Sequence, residues 1–184
     1  MNQKNSPIRF GVLFISLFLL FYYFNILFFG ITSPGNHYIP FLADHLNYIA
    51  ALRGLLLQCS AGVLQLFGFT ALTNNYELLV VGRGVITLVY SCLGLGVMSF
   101  FTAFVLAYPK PTKPKLIFLI SGLLVIQLLN IIRFALLALF WHKPYGSIID
   151  HHTLFNALIY IVISISLYFW VTTDASLIKQ HGKN

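Results

Sequence analysis

Apolar residues run almost unbroken through five stretches of the chain, about residues 10–31, 46–69, 92–108, 116–141 and 153–173, with short polar segments between them. Roughly twenty apolar residues in helix match the hydrocarbon thickness of a bilayer, so these runs predict helices at membrane depth. The second run differs from the others. Asn47, Gly54, Gln58, Gly62 and Gln65 recur at helical spacing within it and Arg53 interrupts it, a pattern suited to a helix lying in the outer interface or dipping partway into the membrane. Between that run and residue 92, Glu77 to Tyr90 holds two β-branched runs around Gly82-Arg83-Gly84, the signature of a hairpin. Unpaired strand edges are not tolerated against lipid, which puts the hairpin at the external surface or under a cover of protein. The predicted fold is therefore an all-α, polytopic membrane bundle. It has about four spanning helices, one interfacial or re-entrant helix and a short external β-hairpin.

Composition supports the bilayer as solvent. Of 184 residues, 59% are hydrophobic and only 8% charged, more apolar surface than one soluble core of this size buries. With no repeat and no long polar linker, residues 1–184 are read as a single membrane-embedded domain. The first run follows a basic start but ends in Thr32-Ser33-Pro34-Gly35 without a small-residue cleavage site, and is read as a retained anchor. Cys59 and Cys92, the two cysteines, lack metal-ligand spacing and predict neither a disulfide framework nor a metal site; no cofactor is expected.

The formal charge of +7 does not point to nucleic acid, because Lys4 and Arg9, then Lys110, Lys113 and Lys115, then Lys179 and Lys183 cluster in three short polar segments. That is the positive-inside distribution, and it places those segments in the cytoplasm. The segment from Tyr108 to Lys115 is expected to be a non-helical spacer, its prolines stopping helix on both sides. At about 1.5 Å per helical residue, Cys92 and Arg133 each lie roughly 27 Å from its lysines, near the far side of the membrane. The last helix returns to the cytoplasm near Lys179, so Asp150-His151-His152 opens on the same far side. A cytoplasmic start, one crossing by 10–31 and an external Cys92 leave no full crossing for 46–69, which again favours an interfacial or re-entrant helix there.

Cys92, Arg133 and His152 are the candidate chemistry. A cysteine at a helix end is more often an inert buried residue than a nucleophile, and an arginine there commonly snorkels to the interface. Asn130 lies three residues before Arg133, however, so the two share a polar face, and ionisable groups within a membrane usually serve function. Asp150 stands two residues before His152 as an orienting carboxylate. A thiol, an imidazole and a cation are the parts needed for acyl transfer through a thioester.

Cys92-Leu93-Gly94-Leu95 entering a helix, Asn130-Ile131-Ile132-Arg133 ending the next and His152 opening the last resemble the exosortase/archaeosortase family over roughly residues 45–172. The resemblance implies a membrane cysteine protease or transpeptidase that cleaves C-terminal sorting signals of exported proteins. It implies Cys92 as nucleophile, Arg133 as the cation that stabilises thiolate or oxyanion, and His152 as general acid and base. Gly94, Asn130, Asp150 and Asn156 are supporting positions. Many members have Ser-Gly-Leu after the cysteine where this chain has Leu93-Gly94-Leu95, and Gly four residues after the histidine where it has Asn156. Counting from His151 instead would put Phe155 at that position, and His151 remains the alternative to His152. The implied home is the plasma (inner) membrane, with the site on its extracytoplasmic side. The implied partners are exported proteins with a C-terminal signal, the lipid bilayer and an envelope acceptor. Neither a palmitoyltransferase nor a rhomboid-like protease fits: the chain has no cysteine-rich zinc segment and no Gly-x-Ser-x setting for a serine. The remaining rival is a non-catalytic membrane subunit of an envelope export or assembly complex.

Overall fold

The computed structural model describes residues 7–35, 37–140 and 151–181, with side chains in the last segment described for 157–173. Among the described residues, six α-helices and three short strands follow one another as α1 (Pro7–Thr32), α2 (Pro40–His45), α3 (Tyr48–Leu66), β1 (Ala71–Thr73), β2 (Glu77–Val80), β3 (Gly84–Thr87), α4 (Leu95–Ala107), α5 (Thr112–Phe140) and α6 (His151–His181). A 3-10 turn, Tyr90–Leu93, precedes α4. The chain forms two compact units, Met1–Lys143 and Pro144–Asn184. The second contains α6, whose described part keeps the apolar character expected of the last run.

In the first unit α1 and α4 pack antiparallel through aromatic rings. Phe10 meets Phe104 and Tyr108 near the end of α4, with centroids 5.5 and 6.0 Å apart, and Phe14 meets Phe100 edge-on at 5.3 Å. At the other end Asn25 Nδ2 donates to Ser99 Oγ at 3.1 Å, and Phe29 packs on Tyr90 at 4.5 Å. Arg9, next to Phe10, and Lys110, just past Tyr108, therefore share one end of this pair, and Cys92 lies toward the opposite end. Edge-to-face rings add about 0.5–1.5 kcal/mol each beyond their buried area. In lipid, where apolar burial drives nothing, such contacts are what hold helices together. The outer face of α1 stays exposed, with Val12, Leu20, Tyr23 and Leu27 each more than half accessible, as a lipid-facing helix requires.

α5 returns antiparallel to α4. The Phe101 ring, 1% exposed, lies directly over Gly122, where a Cβ would collide with it. Small residues at such crossings let helices approach closely. The lysine spacer is shorter than expected. Lys113, Pro114 and Lys115 belong to the first turn of α5, and only Tyr108 to Pro111 stays outside helix. Proline is tolerated there because the first-turn N–H groups have no intrahelical acceptor, and the Lys115 N–H closes the turn on Pro111 O at 3.3 Å.

The expected interfacial or re-entrant segment becomes two helices, α2 and α3. Pro40 to Leu66 is long and apolar enough to cross a bilayer by length and composition. Its contacts, however, tie both ends of α3 to the Cys92 end of the bundle. Tyr48 donates to Asn25 Oδ1 at 2.6 Å and packs on Phe28, while Gln65 Nε2 donates to Ala71 O at 3.0 Å in the sheet.

The hairpin is present, paired Glu77↔Thr87 through Val80↔Gly84. Its turn closes through the Arg83 N–H to Val80 O at 3.0 Å with Gly82 at φ 78°, the positive φ a type II turn needs at its third position. The sequence reading missed a third strand: β1 pairs antiparallel with β2, giving the sheet order β1-β2-β3. Asn74 makes the connecting turn, its Oδ1 accepting from the N–H groups of Tyr76 and Glu77 at 2.8 and 2.7 Å. Leu78 and Val80 point inward and are almost fully buried, and Arg83 Nη1 reaches Leu139 O at 3.4 Å. The inward face of the sheet is thus buried against protein.

Candidate active site

Cys92 does not open α4, as the sequence reading expected. It sits in the 3-10 turn, and α4 begins three residues later at Leu95. Gly94 is the hinge between them, with φ 74° and ψ 13°, a left-handed conformation that side-chain-bearing residues adopt only at a cost. The helical part of α4 accordingly spans only about 20 Å, and the Cys92 turn is an appendage to it. Cys92 itself is 5% exposed.

Asn130 of α5 is wedged against this hinge. Its Nδ2 donates to Leu93 O at 3.5 Å and to Gln127 Oε1 at 3.2 Å, and a Cβ at Gly94 would stand 2.7 Å from Nδ2. Gln127 in turn donates to Met98 Sδ at 2.7 Å. The Asn130 Oδ1 is buried and accepts from no described donor. Arg133, 3% exposed, lies one helical turn beyond Asn130 on the same face, about 4.5 Å further along the axis. The structure therefore brings the Cys92 turn, Gly94 and Asn130 into contact and sets Arg133 next along the same face.

Tyr90, two residues before Cys92, has its phenol raised above the usual range by burial first and by neighbouring Tyr22 second, so it stays neutral. Asp150 lies outside the described residues. His151, His152 and Asn156 fall in the first turns of α6, with side chains outside the described residues. The sequence reading did not single out Gln127, although Gln127, Asn130 and Arg133 recur every three residues and announce one polar face.

The model of the transmembrane exosortase family matches residues 5–170. The chain belongs to that family. Exosortase membership spans most of the chain and supports, in general terms, a membrane enzyme of protein sorting. No curated protein and no solved structure matches.

Within this exosortase chain the Gly94–Asn130 contact makes a specific prediction. Gly94→Ala forces a Cβ into the left-handed region, costing about 1–2 kcal/mol, and presses it onto Asn130. The expected result is a lower unfolding temperature in detergent. Adding Asn130→Ala should recover the part due to collision and leave the backbone part. Full recovery would show that the hinge conformation is not needed, and no loss from Gly94→Ala alone would show that the wedge is absent.

Proposed function

We propose that the chain is a membrane cysteine peptidase or transpeptidase, one membrane-embedded domain, that cleaves C-terminal sorting signals of exported proteins at the outer face of the plasma membrane. The observation that carries this reading is the junction of the Cys92 turn with the Asn130–Arg133 face, in a chain of the exosortase family. A nucleophile with no backbone slack, backed by a buried cation on a rigid helix, is the arrangement acyl transfer requires.

In the proposed reaction His152 takes the Cys92 proton and the sulfur adds to the scissile carbonyl. Arg133 balances the negative charge that develops on the carbonyl oxygen, where water is scarce and a fixed cation acts strongly. The C–N bond then breaks, and His152 returns the proton to the departing amine. The resulting thioester passes to an amine on an envelope acceptor, or to water, and Cys92 is regenerated. Asn130 Oδ1, the buried acceptor without a described donor, is suited to receive a substrate N–H.

The test compares C-terminal peptides of envelope proteins, by mass spectrometry, between cells that make the chain and cells that lack it. The expected result is a defined group of proteins whose hydrophobic, basic tails persist only in its absence. Identical C-termini in both, with those proteins expressed, would leave an assembly subunit as the better reading.

A further inference from the structure

Arg53 stands where the pattern of α3 asks for hydrocarbon. Its neighbours on the buried stripe are Ile49, Leu56, Leu57, Ser60 and Leu64, and the arginine itself is only 9% exposed. It is therefore not part of the polar face that Gln58 and Gln65 form, and a cation so placed needs compensation. Part of that compensation is Tyr76, whose ring centroid lies 3.9 Å from the Arg53 Cζ. The rest is missing. The Arg53 Nε is buried and meets no acceptor, and no acid pairs with Arg53 among the described residues. Glu77, beside Tyr76, accepts instead from Asn74 Nδ2 at 2.9 Å and from Thr87 Oγ1 at 3.5 Å.

Arg53 and Tyr76 line a cavity of about 440 Å³, closed by the end of α1 at Thr32, by α2 and α3, and by the β1–β2 turn. Its lining is mostly polar, with Asn47, Gln58 and Asn75 as further hydrogen-bonding groups and Asp44 as the other charged one. Stacked by one face on Tyr76, the guanidinium keeps its N–H edge for a ligand, a geometry suited to a planar or tetrahedral oxyanion.

Three features of the cavity choose among oxyanions. The cavity lies where the apolar, lipid-exposed α1 gives way to polar chain, which is headgroup level. The helices that bound it carry exposed apolar side chains, Phe24 and Leu27 on α1 and Phe41 on α2 each more than half accessible, a surface suited to acyl chains. One cation and one acid line it, which favours the single charge of a phosphodiester over free phosphate, which approaches two charges near neutral pH. We infer that the Arg53–Tyr76 cavity binds the phosphodiester of a membrane lipid headgroup, fixing a lipid against the end of the bundle that carries Cys92.

The test is native mass spectrometry of the full chain in a detergent without phosphate. Phosphatidylglycerol, an uncharged diacyl glycolipid, inorganic phosphate and a peptide with an apolar segment and a free carboxylate are each titrated in. The expected result is one phosphatidylglycerol retained at least tenfold more tightly than the glycolipid. Arg53→Gln and Tyr76→Leu should each weaken it at least tenfold, and Arg83→Gln, on the exposed hairpin turn, should not. Equal retention of glycolipid and phosphatidylglycerol overturns the inference. So does displacement of the lipid by inorganic phosphate, which would make this a free-anion site, or by the peptide, which would make it a substrate site. Should Arg53→Gln fail to fold, the half-exposed Tyr76 and the comparison of lipids on the unaltered chain still decide.

Discussion

Replacing Cys92 with alanine is expected to abolish tail removal as completely as loss of the whole chain, a drop of at least about 10³-fold in processing per molecule. The reason is chemical: no other group can form the thioester. Cys59, the second cysteine, is exposed on α3 and cannot take over from the turn before α4. The structural cost should be small. Cys92 is buried at the end of a 3-10 turn, and losing one sulfur from a packed site typically costs on the order of 1 kcal/mol, too little to unfold a bundle held by the α1–α4 and α4–α5 contacts. Membrane level and unfolding temperature of the variant, measured beside the C-terminal peptides, separate the two effects. A non-catalytic assembly subunit predicts that Cys92→Ala leaves every tail processed as before, and that outcome would sink the catalytic reading while leaving family membership untouched.

How much of this was legible depended on whether the information was local. The long runs that became α1 and α5 needed only their length and composition, because an apolar run long enough to cross a bilayer must satisfy its backbone as helix whatever it packs against. The hairpin was readable from β-branching around Gly82-Arg83-Gly84, since a turn's chemistry is contained in its own residues. What was misread depends on partners distant in sequence. Whether helix begins at Cys92 or at Leu95 is settled by Gly94, whose left-handed backbone is held against Asn130. β1 is three residues long, and only its pairing with β2 makes it a strand. Pro114 reads as a breaker until the Lys115 N–H is seen to close on Pro111 O. Arg53 reads as one more polar residue on an interfacial helix, until Tyr76, in the β1–β2 turn, is seen stacked upon it. The order of Cys92, Asn130 and Arg133, and the depth estimated for them, pointed to the same end of the bundle from sequence alone. The contact through Leu93 O and Gly94 needed the fold.

Arg133 carries the second large expectation. Arg133→Gln should lower processing by about 10²–10³-fold, the range found when one stabilising donor is taken from a developing oxyanion, and Arg133→Lys should recover part of it by restoring the charge without the planar fork of donors. The position makes this more than snorkelling. At 3% exposure, with its guanidinium 5.7 Å from the Phe134 ring and Asn130 one turn below, the side chain is inside the protein and not reaching for headgroups. A buried cation could nevertheless be there only to hold α5 in place, so the measurement must tell the roles apart. We would follow removal of a hydrophobic, basic C-terminal tail from an exported reporter, normalised to the amount of folded chain in the membrane. A purely structural arginine makes the glutamine variant scarce or easily melted but leaves the rate per folded molecule near that of the parent, and lysine then rescues abundance alone. An oxyanion-stabilising arginine leaves abundance largely intact and lowers the rate per molecule, with lysine intermediate. The Asn130 wedge is expected to favour the second outcome, because Asn130 itself holds the Cys92 turn to α5 through Leu93 O.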